Sequence, residues 1–254
     1  MFIALTRGVP PSIDRCELTH VSREPIDFAR AIEQHGAYER ALVRLGCRVE
    51  HLPELPDLPD SVFVEDAAVV FDEVAVIARP GAESRRAEVP SVVDALSAYR
   101  DVRFIDGPAT LDGGDVLVDR RRVYIGASAR TNADAARQLA ALLSRFGYTV
   151  IAIPVRGCLH LKSAVTLAAP ETLVLNPDLV EPAAFDGVQL IHVDPSEPMA
   201  ANVLQVGDMT LCATAYPRTR ARLEAHGIRV EALDATEVAK AEGALTCCSI
   251  ILRA

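Results

Sequence analysis

The segment Gly147-Tyr-Thr-Val-Ile-Ala-Ile-Pro154 has four near-copies elsewhere in the 254-residue chain, which begin at Gly46, Asp101, Gly187 and Gly227. Each copy has an aliphatic or aromatic residue three positions after its start, and a proline or aspartate four positions later still. The copy at Asp101 has aspartate where the others have glycine. Self-similarity at a period of about 40–50 residues is typical of repeat and propeller architectures. These five segments therefore predict a repeated fold.

Helix-like patterns precede three of the repeated segments, at residues 26–45, 132–146 and 217–226. A glycine follows each pattern, which suits the left-handed residue that often terminates a helix. In the first pattern, apolar residues such as Phe28 and Ile32 are expected to face the core. The repeated segments themselves are short and rich in β-branched residues, so we expect them to form buried strands.

Strand-like segments that are paired through tight turns follow the repeats. The pairs lie at 66–71 with 74–78, 115–118 with 122–125, 163–167 with 172–175, and 202–206 with 209–213. A last strand at 248–252 has no following partner, but residues 2–5 at the other end of the chain can supply one. We therefore predict an α/β fold, a five-bladed pseudo-symmetric α/β propeller of ββαβ units that is closed by the N-terminal strand. A single domain of residues 1–254 is expected.

Composition limits the classes of function. Half of the residues are hydrophobic, and the formal net charge is −9. An acidic surface disfavours binding to nucleic acid and to anionic membranes. The six cysteines form no CxxC pair, and we find neither a secretion signal nor an apolar run of about 20 residues. We therefore expect reduced thiols and a cytoplasmic protein.

Chemically useful side chains recur at one equivalent position, the start of the strand that follows each repeat. They are Glu65 and Asp66, Asp112 and Asp115, His160, Asn202, and Cys247. Equivalent positions of successive propeller units lie around the central axis. A repeat that brings carboxylates, a histidine and a cysteine to that place predicts a reactive site at the hub.

A lone apolar-flanked cysteine or histidine is most often a packing residue, but the combination of Cys247 with His160 favours catalysis. A thiolate nucleophile needs a proton donor and acceptor within hydrogen-bond reach, and a group that orients it. Cys248 follows directly, and neighbouring residues of a strand point to opposite faces. We therefore expect Cys247 to face the hub and Cys248 to face away from it.

The acidic segments Phe63-Val-Glu-Asp66 and Thr110-Leu-Asp-Gly-Gly-Asp115 suit two interpretations. Asp-Gly is a common turn dipeptide, but carboxylates beside apolar strands need a partner, and a planar guanidinium suits bidentate contact. Metal ions are the competing partner, although no dedicated ligand spacing is present. We predict no metal and no cofactor.

Arg85 and Arg130 occupy comparable loops of successive units and could bind a substrate carboxylate.

Long phrases along nearly the whole chain, all in one order, resemble the dimethylarginine dimethylaminohydrolase family of the guanidine-modifying propeller superfamily, the penteins. The phrases include Pro59-Asp-Ser-Val-Phe-Val-Glu-Asp66, Arg79-Pro-Gly-Ala-Glu-Ser-Arg-Arg86, Ser128-Ala-Arg-Thr-Asn132, Leu159-His-Leu-Lys162 and Leu245-Thr-Cys-Cys-Ser249. The resemblance implies a five-bladed α/β propeller and a single catalytic domain. This agrees with the fold expected from the repeats.

The resemblance also implies roles for individual residues. Cys247 is implied as the nucleophile, His160 as the general acid and base, Asp112 as the acid bonded to the histidine, and Asp66 as the main guanidinium anchor. Further substrate contacts are implied for Asp60 and Glu65, beside Asp66. Arg85 and Arg130 are implied to bind the substrate carboxylate. Leu18 is implied to lie in a lid at residues 10–23, and the Ala241 backbone to contact the substrate amino group.

The implied reaction is hydrolysis of Nω-methylated arginines to citrulline and methylamine or dimethylamine. It runs through a covalent S-alkylthiouronium intermediate on the cysteine, without a cofactor or a macromolecular partner, in a monomer or homodimer. The enzymatic alternative is an arginine deiminase or another guanidine hydrolase, although deiminases and amidinotransferases are usually longer. A binding or assembly protein on the same propeller is the other alternative, but it would not need Cys247, His160 and an acid at equivalent places.

Overall fold

The computed structural model describes residues 1–254 and contains five separate three-stranded sheets. The strands are β1 Phe2–Thr6, β2 Cys47–His51, β3 Ala68–Val70, β4 Val74–Ile77, β5 Asp101–Phe104, β6 Val116–Asp119, β7 Arg122–Ala127, β8 Thr149–Pro154, β9 Val165–Ala169, β10 Thr172–Leu175, β11 Gln189–His192, β12 Leu204–Val206, β13 Met209–Ala213, β14 Arg229–Leu233 and β15 Ile250–Arg253. The helices are α1 Phe28–Arg44, α2 Val89–Leu96, α3 Ala133–Ser144, α4 Leu161–Ala164, α5 Pro217–Ala225 and α6 Thr236–Lys240.

Each sheet repeats one connection pattern, which confirms the predicted propeller. In the sheet β6-β7-β8, β6 and β7 form an antiparallel hairpin, α3 crosses over, and β8 returns parallel to β7. The sheets β3-β4-β5 and β12-β13-β14 are built alike around α2 and α5. The sheet β9-β10-β11 departs from ββαβ, since a single 3₁₀ turn at Pro182–Ala184 replaces its helix.

The fifth sheet joins the two ends of the chain. Strand β1 pairs antiparallel with β15 and parallel with β2, and α1 crosses over between β1 and β2. The N-terminal strand therefore closes the ring, as the unpaired last strand predicted. No helix of the structure combines the length and the apolar character needed to cross a membrane.

The repeated segments form the outermost strand of each sheet, so the prediction that they are buried is wrong. Three of the four residues of β5 are exposed, and β8, β11 and β14 are also largely open to solvent or half-buried. An outer strand has a neighbour on one side only, and its β-branched residues reflect strand propensity rather than burial. The four glycines that open these segments have φ between 71° and 87°, as their place after a helix or turn requires.

Helix α1 presents a different face to the core than the apolar pattern indicated. Phe28 and Ile32 are 38% and 47% exposed, whereas Ala31, Tyr38 and Leu42 are buried. An α-helix turns by about 100° per residue, so Ile32 lies roughly 120° around the axis from Tyr38 and outside the buried stripe.

The innermost strands β15, β3, β6, β9 and β12 surround the axis, and contacts join β15 with β3, β6 with β9, and β9 with β12. A short helical turn precedes most of them. These turns are 3₁₀ turns at Val64–Ala67, Gly113–Asp115 and Thr246–Cys248, and the single-turn helix α4 before β9. The residues singled out at the start of each unit lie on or beside these turns, so the repeat brings them to the hub.

Candidate active site

His160 lies at the hub, buried between two aspartates. It directly precedes α4, so the turn that leads into β9 sets the position of its ring. Its Nε2 is 3.0 Å from Oδ2 of Asp112, and its Nδ1 is 3.9 Å from Oδ1 of Asp66. All three side chains are at most 5% exposed. Three units of the propeller thus contribute one charged group each to a single buried array.

The aspartates keep His160 protonated at neutral pH. Burial alone would lower the pKa of His160, but the charge of Asp66, the hydrogen bond to Asp112 and the charge of Asp115 outweigh it and raise this pKa to about 9. Burial alone would raise the pKa of Asp66, whereas His160 and Arg85 hold it well below its usual range. The imidazole therefore carries a proton that it can donate.

The raised pKa predicts a specific loss of stability at alkaline pH. A group whose pKa is about 9 when folded and about 6.5 when unfolded stabilises the fold fully below pH 6.5, and this contribution is lost as the pH rises through 9. The contribution is on the order of 3 kcal/mol. We expect the free energy of unfolding in urea to fall between pH 6 and pH 10 by about that much more in the wild type than in His160→Gln. An equal loss in both proteins would contradict the assignment.

Gly114 allows His160 and Asp66 to approach each other. A Cβ atom at residue 114 would lie 2.7 Å from Nδ1 of His160 and 2.8 Å from Oδ1 of Asp66, well inside ordinary contact distance. The Gly114 N–H also donates to Oδ1 of Asp66 at 2.9 Å. The absence of a side chain at residue 114 therefore permits a close backbone approach that the buried array requires.

Asp112 and Asp115 differ in role although they belong to one segment. Oδ1 of Asp112 accepts from the N–H of Gly81 at 2.9 Å, which leaves Oδ2 for His160. Asp115 accepts from the N–H of Leu161 at 2.8 Å and from the Ser128 hydroxyl. Asp115 thus holds the start of α4, and it orients the histidine through the backbone.

Arg85 and Arg130 both reach the array but are bonded very differently. Each of the three guanidinium nitrogens of Arg85 already has a partner, among Glu88, Asp66 and the carbonyl oxygens of Asp60 and Phe63. The guanidinium of Arg130 makes one hydrogen bond, to Oδ2 of Asp112 at 3.4 Å. Arg130 therefore has donors available for a ligand, whereas Arg85 is occupied in holding Asp66.

Glu65 lies beside Asp66 in sequence but contacts a different part of the hub. Its carboxylate accepts from Nζ of Lys162 at 2.6 Å and from the hydroxyl of Thr246 at 2.8 Å. Asn202 completes this network, because its Oδ1 accepts from the N–H of Thr246 and its Nδ2 donates to the Thr246 hydroxyl. The network links four units and fixes the turn that carries Cys247.

Cys247 faces the hub cavity and Cys248 does not, but the reason differs from the prediction. Both residues belong to the 3₁₀ turn before β15 rather than to the strand, so the strand alternation does not apply. Successive residues of a 3₁₀ helix are about 120° apart, which leaves Cys247 half-buried and turns Cys248 into the core. There the thiol of Cys248 donates to the Ala244 carbonyl oxygen at 3.5 Å.

Cys247 is a protonated thiol in the resting protein. Burial raises its pKa well above the ordinary value, and the negative charges of Glu65 and Asp66 raise it further. A thiolate there requires additional positive charge at the site.

Two cavities meet at Cys247 and His160. The smaller one, of about 20 Å³, is lined by both residues and by Asp60, Asp66, Arg85, Arg130 and Ala241. The larger, of about 440 Å³, includes Glu65, Lys162 and Asn202 among its walls. Leu18 lines neither cavity, but it packs half-buried against the core cluster that contains Phe63 and Leu245. Asp112 is fully buried and reaches the cavity through His160 and Arg130.

Asp66, Asp112 and His160 are close enough to share a metal ion, since their ligand atoms lie within 4.8 Å of one another. The charge of the two carboxylates already has other partners, however, in Arg85, Arg130 and the imidazolium. A protonated imidazole has no lone pair for a metal. The array is therefore organised around a proton, and the expectation that no metal is needed stays a prediction.

Lys162 and Glu242 were not predicted as site residues. Lys162 stands two residues after His160, at the start of a unit whose neighbours carry carboxylates there, and this position was a usable signal. Glu242 lines both cavities next to Ala241, but nothing in the sequence distinguishes it from a surface glutamate.

A family model described as N,N dimethylarginine dimethylhydrolase, eukaryotic, matches residues 19–252 of the chain. A curated N(G),N(G)-dimethylarginine dimethylaminohydrolase of Streptomyces coelicolor is 42% identical over 252 residues, which cover 98% of this chain and 96% of that protein. The protein of the same name from Pseudomonas aeruginosa is 34% identical over 240 residues and 94% of both chains.

Solved structures agree with these matches. A cysteine-to-serine mutant of the Pseudomonas aeruginosa enzyme in complex with citrulline superposes with a TM-score of 0.94, at 33% identity, over 99% of this chain and 100% of that one. An adduct of a histidine-to-glycine variant of a dimethylarginine dimethylaminohydrolase with S-methyl-L-thiocitrulline superposes with a TM-score of 0.93 over the same shares.

Proposed function

The chain belongs to the dimethylarginine dimethylaminohydrolase family, and we propose that it hydrolyses Nω-methylated arginines at the hub through Cys247, His160 and Asp112. The products are citrulline and methylamine or dimethylamine. The observation that carries this proposal is the buried Asp112–His160–Asp66 array, which meets a cysteine on the wall of one cavity with Arg130 beside it. Such an arrangement supplies a nucleophile, a proton donor and anchors for both charged ends of an arginine.

The polar groups of the smaller cavity divide between the two ends of the substrate. Asp66 and Asp60 are the carboxylates that face the guanidinium. Glu65 contributes negative charge from the wall of the larger cavity, where it is bonded to Lys162. Arg130, with its available donors, binds the α-carboxylate. Arg85 supports this contact indirectly, because it keeps Asp66 ionised and in place.

Leu18 and Ala241 contribute at the entrance. The Ala241 backbone accepts from the α-amino group at the cavity wall. Leu18 covers the bound amino acid, since it lies on the loop that follows Cys16 and packs against the core cluster that includes Phe63, another residue of that wall.

Binding of the substrate activates the nucleophile. The resting thiol of Cys247 is held protonated by burial and by neighbouring carboxylates. A bound guanidinium adds one positive charge beside the sulfur, which favours the thiolate, and the proton leaves to solvent. The enzyme therefore forms its reactive sulfur only when the substrate is present.

The two chemical steps use the proton of His160 in opposite directions. The thiolate forms a C–S bond to the guanidinium carbon, His160 protonates the substituted nitrogen, and the C–N bond breaks to release the amine. The cationic S-alkylthiouronium remains on Cys247 and His160 is neutral. Water then attacks the same carbon and gives a proton to His160, the C–S bond breaks, and the last proton returns to the thiolate as citrulline forms.

The substrate range tests this function directly. We expect citrulline from asymmetric dimethylarginine and from monomethylarginine, together with dimethylamine and methylamine respectively. Arginine as the preferred substrate, with release of ammonia, would identify a deiminase instead. A protein that releases no citrulline from any of the three would contradict an enzymatic function on a guanidine.

Arg130→Ala should chiefly weaken binding. Because the α-carboxylate is held equally in the ground and transition states, KM for dimethylarginine should rise about 10-fold or more, with a much smaller change in kcat. The control variant Arg86→Ala removes a neighbouring surface arginine that pairs with Glu83, and it should leave KM unchanged. For an alkylguanidine that lacks the carboxylate, KM should change little in Arg130→Ala. Equal losses on both substrates would place Arg130 outside the carboxylate site.

Three broader features of the protein are also part of this proposal. Residues 1–254 form one catalytic domain, since the site draws residues from several units of the ring. All six cysteines are free thiols, which favours a reducing compartment such as the cytoplasm. A monomeric or homodimeric state without nucleic-acid or membrane partners stays a prediction.

A further inference from the structure

We propose that Glu242 is a positioning residue that latches residues 16–25, the lid loop, over the smaller cavity. Its carboxylate accepts from two consecutive backbone amides of that loop. Oε2 accepts from the N–H of Thr19 at 2.7 Å, and Oε1 accepts from the N–H of His20 at 2.8 Å. These donors lie 223 and 222 residues away in sequence, so the contact ties the loop to the segment that follows α6.

Most other contacts of the lid loop lie toward its two ends, and within the loop Arg23 donates to the carbonyl oxygens of Asp14 and Cys16. At its start, the N–H of Glu17 donates to Asp60 at 3.1 Å. At its end, Nζ of Lys240 donates to the carbonyl oxygen of Pro25 at 3.2 Å. The middle of the loop is exposed and has Glu242 as its carboxylate partner. Removal of that one side chain should therefore release the middle of the loop while its ends stay attached.

The backbone of Glu242 is left-handed, with φ of +59°, because this residue follows the C-cap of α6. The N–H of Gly243 donates to the Val238 carbonyl oxygen and the N–H of Glu242 donates to that of Ala239, which is a common way for a helix to end. Side chains other than those of glycine, asparagine and aspartate seldom occupy such a position. This helix end places the carboxylate between the lid loop and the catalytic cavities, whose walls both include Glu242.

Closure and opening of the loop are both needed in turnover. The smaller cavity holds about 20 Å³ in this closed state, which is room for roughly one water molecule and not for an amino acid. The larger cavity also reaches Cys247 and His160, but a substrate fits beside Asp60 and Arg130 only when the lid loop opens and widens the smaller cavity. Leu18 covers the substrate when the loop closes again. The latch favours closing, so a variant without it spends part of its substrate-binding energy on ordering the loop.

Limited proteolysis of the free protein tests the latch without reference to the reaction. Arg23 is exposed and lies within the lid loop, three residues after His20, so cleavage there follows the population of the open loop. We expect trypsin to cut Glu242→Gln and Glu242→Gly about 10-fold faster at Arg23 than the wild type, as the loss of charge-assisted hydrogen bonds predicts. Glu242→Gly also relieves the backbone strain, so its melting temperature should not fall.

Glu171 offers a matched control. It is another glutamate at a left-handed position, with φ of +58°, and it pairs with Arg120 in the turn between β9 and β10. Glu171→Gln and Glu171→Gly should leave cleavage of the lid loop unchanged. Wild-type cleavage rates in both Glu242 variants would overturn the proposal, whatever reaction the protein catalyses.

The kinetic part of the test rests on the proposed function. In both Glu242 variants, KM for dimethylarginine should rise about 5- to 10-fold, while kcat stays within about twofold of the wild type, because the closed complex is unchanged once formed. Glu242→Asp keeps the charge on a shorter side chain, so its KM for dimethylarginine should lie between that of these variants and that of the wild type. A lower kcat at unchanged KM would overturn the positioning role, even if the loop is cut faster.

Discussion

Cys247→Ser is expected to lower kcat for dimethylarginine by about 10⁴-fold or more while the protein remains folded. The guanidinium carbon is a poor electrophile because its positive charge is delocalised over three nitrogens, so the step depends on a strong nucleophile. A bound cation can bring the thiol of Cys247 to the thiolate, whereas a serine hydroxyl ionises far less readily. His160 cannot act as a base for that hydroxyl, since its pKa of about 9 keeps it protonated at neutral pH. Turnover is measured as citrulline release, and folding as the unfolding midpoint in urea.

Cys248→Ser is the matched control for this substitution. Cys248 is 4% exposed and donates to the Ala244 carbonyl oxygen, a contact that a hydroxyl can keep. We expect most of the activity to remain in this variant. Loss of activity in Cys248→Ser with retention in Cys247→Ser would mean that the turn before β15 is rotated relative to this structure.

His160→Gly is expected to lower turnover of dimethylarginine by at least about 10²-fold, because dimethylamine is a poor leaving group without a proton donor. His160 is the buried proton carrier in the cavity, held by Asp112 and raised in pKa by Asp66. Added imidazole should restore part of the activity, since the removed ring leaves a space beside both aspartates. A general loss of structure would not respond to imidazole.

Two outcomes would contradict the acid–base role of His160. Turnover near the wild-type rate in His160→Gly would show that another group donates the proton. An equal fractional loss in the first step, measured as release of the leaving group in a single turnover, for a substrate whose leaving group needs no proton would show that the histidine acts on binding or folding instead.

The hub was predictable from the sequence because a repeat carries positional information. The repeated segments recur every 40 to 55 residues, and the side chains that follow them, such as Asp66, Asp112, His160 and Cys247, must meet around one axis when the ring closes. The strand pairing of residues 2–5 with the last strand followed from the same count of strands.

The partners of individual side chains were not predictable in this way. Arg85 and Arg130 look equivalent in sequence, yet the guanidinium of Arg85 is bonded to Glu88 and Asp66, whereas that of Arg130 has donors available. Which arginine is bonded depends on distances between loops of different units, and no local sequence pattern encodes these distances. The same holds for Glu242, whose partners lie more than 220 residues away.

Burial of the outer strands was misjudged for a related reason. Their β-branched residues indicate strand formation, but a strand's exposure depends on how many neighbours its sheet gives it. In this propeller each repeated segment ends a three-stranded sheet, so β5 is exposed although its composition suits a core.

The most direct measurement is the mass of a trapped intermediate. S-methyl-L-thiocitrulline carries a thiol leaving group, which departs without the proton that an amine needs, so His160→Gly should complete the first step and stall at the second. Intact-protein mass spectrometry should then show a gain equal to one probe molecule minus one methanethiol, and peptide mapping should place it on Cys247. A variant that combines His160→Gly with Cys247→Ser should gain nothing. An adduct on any of the other five cysteines, or no adduct in His160→Gly, would contradict covalent catalysis by Cys247.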